Sequence, residues 1–133
     1  MHAYADEKRM VAIGTNAEYA PFEYLDSNGN LTGFDIELMN AIAKEAGFEV
    51  KWVDLPFDSL LGSIEAGDIE AIAASNCTYG RKSKERRFFQ MYTYSGSQSL
   101  VYRTDEKYTD FSDIKGRTIA VLEGSQSDMI DIG

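Results

Sequence analysis

Short apolar runs alternate with amphipathic stretches along the first half of the chain. Three runs have the length and composition of buried strands, at residues 10–14, 48–54 and 69–74. Between them, apolar residues recur every three or four positions, which predicts helices over residues 35–46 and 57–66. This order of strand, helix, strand, helix and strand is typical of a parallel α/β sheet with helical crossovers.

Residues with special backbone preferences predict the limits of these elements. Asp35 is the expected N-cap of the first helix, and Gly47 and Gly67 are expected to end the two helices. The pair Asn28 and Gly29 predicts a tight turn that closes a small hairpin, because Asn-Gly tolerates positive φ. The residues expected to share one apolar face of the first helix are Leu38, Ala41, Ile42 and Ala46.

The second half of the chain has a weaker pattern. Residues 99–102 and 118–122 are predicted to be later strands, separated by the polar connection 104–116. The basic stretch 81–87 is predicted to be a third helix, and the Gly-Ser-Gln-Ser turn at 124–127 looks like the start of another helix.

Composition and charge exclude several classes of function. The 133 residues fit one modest domain, and the formal net charge of -9 argues against a nucleic-acid partner, which calls for a basic surface. Cys77 is the single cysteine, so an internal disulfide is impossible. No apolar run approaches the roughly 20 residues of a membrane helix.

The carboxyl ends of parallel strands meet at one edge of a sheet, where ligands bind. Three loops of the predicted sheet lie there, at residues 15–22, 55–58 and 74–80. Aromatic faces combined with hydroxyl and amide groups suit a small polar solute, although Phe22 and Phe57 could equally be core aromatics. The candidate ligand-binding side chains in these loops are Asn16, Tyr19, Phe22, Phe57, Ser75, Asn76 and Thr78.

The sequence gives little indication of a catalytic site or a metal site. Cys77 lies in the third loop, but as a nucleophile it would need a base nearby, and the single histidine, His2, lies in the N-terminal tail. Glu18 and Glu23 are the acid or base candidates near the expected cleft. No residues have metal-ligand spacing, so neither a metal, a cofactor nor a catalytic residue is expected.

Two motifs carry a family resemblance. Tyr19-Ala20-Pro21-Phe22-Glu23, followed by Gly33-Phe34-Asp35-Ile36, resembles the start of the periplasmic solute-binding proteins of the polar amino-acid type, the bacterial extracellular solute-binding proteins of family 3. The resemblance runs from residue 11 to about residue 128. It implies an α/β, type II periplasmic-binding-protein fold. The implied parts are an N-terminal tail (1–9), a first α/β lobe with a parallel sheet (10–95), a hinge crossing (96–104) and the beginning of a second lobe (105–133).

The resemblance also implies roles for individual residues. The aromatic side chain of Tyr19 would pack on the ligand, and the loop after the third strand would supply hydrogen bonds. Members of the family then use an Arg to bind the ligand's α-carboxylate; here an ungapped count places Lys82 at that position, an alternative match places Ser83 there, and Arg81 is a third possibility. The remaining residues implied in ligand binding are Ser75, Asn76, Cys77, Thr78, Ser125 and Gln126.

Asn16 bears on the choice of ligand. Members that bind basic amino acids often carry an acidic residue at this position, where it meets the cationic side chain. The amide of Asn16 therefore favours a neutral or uncommon ligand.

The implied function is that of a binding protein and not an enzyme. A complete member would hold a small polar solute, an amino acid or a relative, between two lobes, and its closed form would dock on an ATP-binding-cassette (ABC) permease. Such a protein would be periplasmic or extracellular, lipid-anchored or secreted. The alternatives are a ligand-sensing extracellular domain of a membrane kinase and, on the same fold, an enzyme resembling cyclohexadienyl dehydratase.

The resemblance finally implies a truncated protein. Of the second lobe of a complete member, this chain would contain only the start. Apolar strand and helix faces that the missing parts cover in a complete member would then be exposed. We expect the chain to form a homodimer, or a swapped dimer that exchanges residues 118–122, and to bind its ligand weakly by itself.

Overall fold

The structure is a computed structural model that describes residues 8–74, 99–125 and 127–129. The chain divides into two units, residues 1–76 and residues 77–133. The predicted helix at 81–87 lies outside the described residues.

A parallel sheet of three strands forms the centre of the first unit. Strand β1 (Met10–Thr15) lies between β5 (Glu49–Asp54) and β6 (Ala71–Ile72). The register with β5 runs from Met10 opposite Glu49 to Thr15 opposite Asp54. The prediction of a parallel sheet is therefore confirmed.

The third strand is shorter than predicted. Strand β6 contains two residues, although one backbone bond on each side prolongs the pairing with β1. The N–H of Glu70 donates to the carbonyl of Ala12 at 2.8 Å, and the N–H of Ala73 donates to the carbonyl of Gly14 at 2.9 Å.

The second predicted helix has two parts. A 3-10 helix (Phe57–Ser59) leads directly into helix α2 (Leu60–Ala66), which ends at Gly67 as expected, with a left-handed φ of 84°. Leu60 is 1% exposed and forms a buried cluster with Ile69 and Ala74, against which the half-buried Phe57 packs. This cluster holds α2 to one face of the sheet.

Helix α1 (Phe34–Ala46) does not begin as predicted. Its N-cap is Gly33, with φ 125°, and Asp35 lies buried in the first turn instead. The N–H of Phe34 donates to the carbonyl of Pro21 at 3.0 Å, and the N–H of Asp35 donates to that of Phe22 at 2.9 Å. Because these backbone carbonyls satisfy helix donors that otherwise need a cap, no side-chain cap is required.

The predicted apolar face of α1 is also wrong. Ile36 and Ala43 are the buried apolar residues of the helix, whereas Ile42 is 45% exposed. At roughly 100° per residue, Leu38 and Ile42 lie on the side opposite Ile36. Apolar residues surround most of this helix, so their spacing does not single out one buried stripe.

An antiparallel sheet carries the loop that follows β1. Strands β2 (Glu18–Tyr19), β3 (Glu23–Leu25) and β4 (Leu31–Thr32) pair in that order. The predicted turn between β3 and β4 is confirmed, with φ 80° at Gly29. The Asp26 carboxylate accepts hydrogen bonds within this turn from the backbone N–H groups of Asn28 (2.8 Å) and Asn30 (2.9 Å).

The second unit corrects two further predictions. Residues 99–102 and 118–122 are not strands in the described part of this unit. A strand requires a hydrogen-bonded neighbour, and apolar composition alone does not provide one. The regular elements described there are 3-10 helices at Phe111–Ile114 and Ser127–Met129. In the first of these, Asp110 and Asp113 form a reciprocal capping box.

We expect Gly33→Ala to lower the free energy of unfolding by about 2–4 kcal/mol, the scale of backbone strain combined with overpacking. A Cβ atom at this position would overlap the carbonyl group of Phe22, and the positive φ is itself unfavourable for alanine. Gly62→Ala is the matched control: its Cβ would meet open space within α2, so it should stabilise by about 0.5–1 kcal/mol. Chemical denaturation of both variants measures the difference, and equal effects would contradict the close approach.

Asp26 should titrate below its ordinary pKa of 3.8. The backbone N–H of Asn30, followed by the side-chain amide of Asn30, lowers the pKa by binding the carboxylate. The folded pKa is depressed, so the carboxylate stabilises the turn above pH 3.8 and loses that effect as pH falls through the lower folded value. Carboxyl NMR titration measures the midpoint, and a value at or above 3.8 would refute this assignment.

Candidate functional site

The carboxyl ends of β1 and β5 lie side by side, and three hydrogen bonds join the loops that follow them. The N–H of Leu55 donates to the carbonyl of Thr15 at 2.9 Å. The N–H of Ala17 donates to Oδ1 of Asp54 at 2.9 Å, and Nδ2 of Asn16 donates to the carbonyl of Leu55 at 3.1 Å. We call these three contacts the loop latch. They bring two of the three predicted ligand loops together.

Asn16 is 8% exposed and is the buried polar residue of the loop latch. Its Nδ2 is committed to the backbone of the neighbouring loop, so its Oδ1 is the side-chain atom left for another partner. An amide oxygen only accepts hydrogen bonds and carries no formal charge. The amide of Asn16 therefore adds a neutral acceptor, and no formal charge, to this pair of loops.

Tyr19 and Phe22 form an aromatic pair. Their ring centroids are 5.5 Å apart and their planes are inclined by 20°. The N–H of Phe22 donates to the carbonyl of Tyr19 at 2.9 Å, across a segment that includes the cis Ala20–Pro21 peptide. Phe22 is half-buried while Tyr19 is 55% exposed, so Phe22 supports a tyrosine ring that is open to solvent.

Phe57 is placed differently. It packs against the cluster of Leu60, Ile69 and Ala74, which is the position of a core aromatic. Direct contact with a ligand remains a prediction for this residue.

Several predicted ligand residues lie outside the described part of the chain. They are Ser75, Asn76, Cys77, Thr78, Lys82 and Gln126, together with Arg81 and Ser83, the other residues considered for the carboxylate position.

Ser125 belongs to the second unit and is described there by its local contacts. Its N–H donates to the carbonyl of Leu122 at 3.1 Å, and its buried Oγ has no hydrogen-bond partner. The neighbouring Gly124 N–H donates to Oδ2 of Asp128 at 3.1 Å. The carboxylate of Asp128 therefore occupies the backbone donor next to Ser125.

Sequence reasoning missed the residues that complete the loop latch. Asp54 and Leu55 contribute a carboxylate and a backbone carbonyl, and Thr15 lies beside them with a fully buried Oγ1 that lacks a hydrogen-bond partner. The one available clue was that Asp54 is a polar residue at the end of a predicted strand. Glu23, considered earlier as an acid or base, is 1% exposed and is not open to solvent.

Two kinds of feature are absent from the described residues. No group of three or more His, Cys, Asp or Glu side chains there could hold a metal ion. Within the same residues, no helix is long and apolar enough to cross a bilayer.

This sheet, with a hairpin at its carboxyl edge, defines an α/β lobe of the periplasmic-binding-protein class. The L-cystine solute receptor of Neisseria gonorrhoeae, in its unliganded open conformation, is 36% identical, with a TM-score of 0.51 over 52% of this chain and 29% of the receptor. The model of the bacterial extracellular solute-binding proteins, family 3, matches residues 11–129. The chain belongs to that family, which confirms the resemblance and the predicted fold class.

Curated relatives are named for amino acids. The arginine-binding extracellular protein ArtP of Bacillus subtilis (strain 168) is 32% identical over 118 residues, covering 89% of this chain and 46% of ArtP. The histidine-binding periplasmic protein of Escherichia coli (strain K12) is 31% identical over 123 residues, covering 92% of this chain and 47% of that protein. The chain therefore spans about half the length of these relatives, which are named as binding proteins and not as enzymes.

We expect Asn16→Asp to lower the free energy of unfolding by about 1–3 kcal/mol at neutral pH, the scale of a buried polar group that loses its partner. The new carboxylate has no N–H to donate to the carbonyl of Leu55, so two hydrogen-bond acceptors would face each other. Asn40→Asp is the matched control, because Oδ1 of Asn40 accepts a hydrogen bond from Nε1 of Trp52 and a carboxylate also accepts. Denaturant titration compares the variants, and equal stability would contradict the assigned direction of the Asn16 bond.

Proposed function

We propose that this chain is the ligand-binding part of the substrate-binding component of an ABC importer, and that its ligand is a neutral amino acid or a close relative. Membership of the family supports the binding of an amino-acid-like solute. In this proposal the protein is not an enzyme, and it works outside the cell or in the periplasm, lipid-anchored or secreted. Its partner is an ABC permease, and a homodimer remains part of the proposal.

The observation that carries the choice of ligand is the amide of Asn16. A cationic ligand side chain would lose its hydration on entering the site, and the amide dipole returns less than a carboxylate would. A neutral ligand avoids most of that cost while still finding the Oδ1 acceptor. The carboxylate of the loop latch is that of Asp54, at the end of β5, where its Oδ1 accepts from the N–H of Ala17; the position of Asn16 itself carries no charge.

The aromatic pair supplies the apolar contact. The ring of Tyr19 is open on its exposed side and is backed by Phe22. A ligand that covers this ring removes apolar surface from water, which is favourable by about 25 cal/mol per Å².

The remainder of the proposal follows the resemblance. It retains a first lobe at residues 10–95, a hinge crossing at 96–104 and the beginning of a second lobe at 105–133. It also assigns ligand contacts to Phe57 and, beyond the first unit's described residues, to Ser75, Asn76, Cys77, Thr78, Lys82, Ser125 and Gln126.

The ligand class can be tested by NMR titration of the isotope-labelled full chain with single L-amino acids, a method that detects even millimolar affinity. We expect glutamine and other neutral amino acids to shift the amide resonances of Asn16, Ala17 and Tyr19, and arginine and lysine to shift them less at equal concentration. Strongest binding by a basic amino acid would overturn the choice of ligand. If no amino acid shifts these resonances, the proposed function itself fails.

Tyr19→Ala should weaken binding of the best amino acid in that series by about 1–3 kcal/mol, the scale of one buried aromatic side chain. Tyr19→Phe is the matched control: it keeps the ring stacked on Phe22 and should bind within about twofold of the unchanged chain, since a stacking contact does not use the hydroxyl. The same titration gives both affinities. An unchanged affinity for Tyr19→Ala would remove Tyr19 from the site.

A further inference from the structure

The ladder between β1 and β5 continues past its last backbone pair through a side chain. Thr15 pairs with Asp54, and the N–H of Leu55 still reaches the carbonyl of Thr15. The next donor along the β1 side is the N–H of Ala17, and it points to Oδ1 of Asp54 at 2.9 Å. Asp54 thus supplies the acceptor that the backbone of β5 no longer offers.

Ala17 lies at a critical place in the chain. Residues 16 and 17 are the whole connection between β1 and β2, and Tyr19 is the second residue of β2. The N–H of Glu18 donates to the carbonyl of Asn16 at 2.8 Å, which closes a tight turn around Ala17. The direction in which β2 leaves the sheet is therefore set by how Ala17 is held.

We propose that Asp54 is a positioning residue for ligand binding, which holds the turn at Ala17 so that the ring of Tyr19 faces the ligand. This inference rests on the proposed function. Asp54 acts through the loop and is assigned no contact with the ligand.

The exposure of Asp54 predicts that its loss affects ligand affinity more than global stability. Its side chain and the Ala17 N–H lie at the surface, so water can replace the lost bond and global stability should change little. Affinity depends on the loop already having its bound conformation, because ordering a loop on binding opposes association. Loss of Asp54 should therefore weaken binding much more than it lowers the melting temperature.

Three variants of the full chain test the inference. Asp54→Ala removes the acceptor, and Asp54→Asn keeps an oxygen that can accept from Ala17 while removing the charge. Asp68→Ala is the control for charge, because Asp68 is also exposed and lies between α2 and β6, outside the three ligand loops. The two alanine variants change the net charge equally.

The readouts are the hydrogen-exchange rate of the Ala17 amide and the affinity for glutamine, both by NMR, with thermal unfolding alongside. For Asp54→Ala we expect faster Ala17 exchange and about three- to tenfold weaker glutamine binding, the effect of losing one hydrogen bond, at a nearly unchanged melting temperature. Asp54→Asn should retain most of the slow Ala17 exchange and of the glutamine affinity, and Asp68→Ala should match the unchanged chain.

The outcomes separate this inference from the proposed function. Unchanged exchange at Ala17 in Asp54→Ala, or unchanged affinity despite faster exchange, would overturn the positioning role while amino-acid binding stands. Equal losses in Asp68→Ala would assign the effect to charge and would also overturn the positioning role. Absence of binding by the unchanged chain to glutamine and to every other amino acid would overturn the proposed function, and the role of Asp54 in binding with it.

Discussion

The backbone of Gly33 lies directly against the carbonyl of Phe22, with no space for a side chain between them. This close approach lets the first two N–H groups of α1 donate to the carbonyls of Pro21 and Phe22. Those carbonyls belong to the segment that supports Tyr19, so the helix start and the aromatic pair form one connected piece of backbone. The packing of a helix end therefore holds the exposed ring from the side of Phe22, and the loop latch holds it from the side of Ala17.

The parts of the fold that depend on local pattern could be predicted from the sequence. Apolar runs identified β1 and β5, and the glycines at 29, 47 and 67 marked the turns where positive φ is needed. The failures have non-local causes. Residues 118–122 have the composition of a strand, but a strand exists only where a neighbour completes its hydrogen bonds. Asp35 is a residue type common at N-caps, but backbone carbonyls of the loop before the hairpin already accept from the first N–H groups of the helix.

The candidate site divides in the same way. Asn16 and Tyr19 could be identified because they stand in a recognisable motif after the first strand. The partners that hold them could not, since Asn16 bonds to a residue 39 positions away and Ala17 to one 37 positions away. Such contacts follow from the register of parallel strands, and a sequence fixes that register only through packing of the whole sheet. Asp54, at the end of β5, reaches the N–H of Ala17 only because of this register.

The two kinds of group in the site should contribute to binding in different ways. The loop latch joins residues of the chain to one another, so its hydrogen bonds are not themselves contacts with a ligand. Their effect is to reduce the ordering that binding would otherwise require. Tyr19, in contrast, exposes more than half of its surface to water. Under the proposed function, covering that ring would supply affinity through apolar burial, and the amide of Asn16 would supply selectivity.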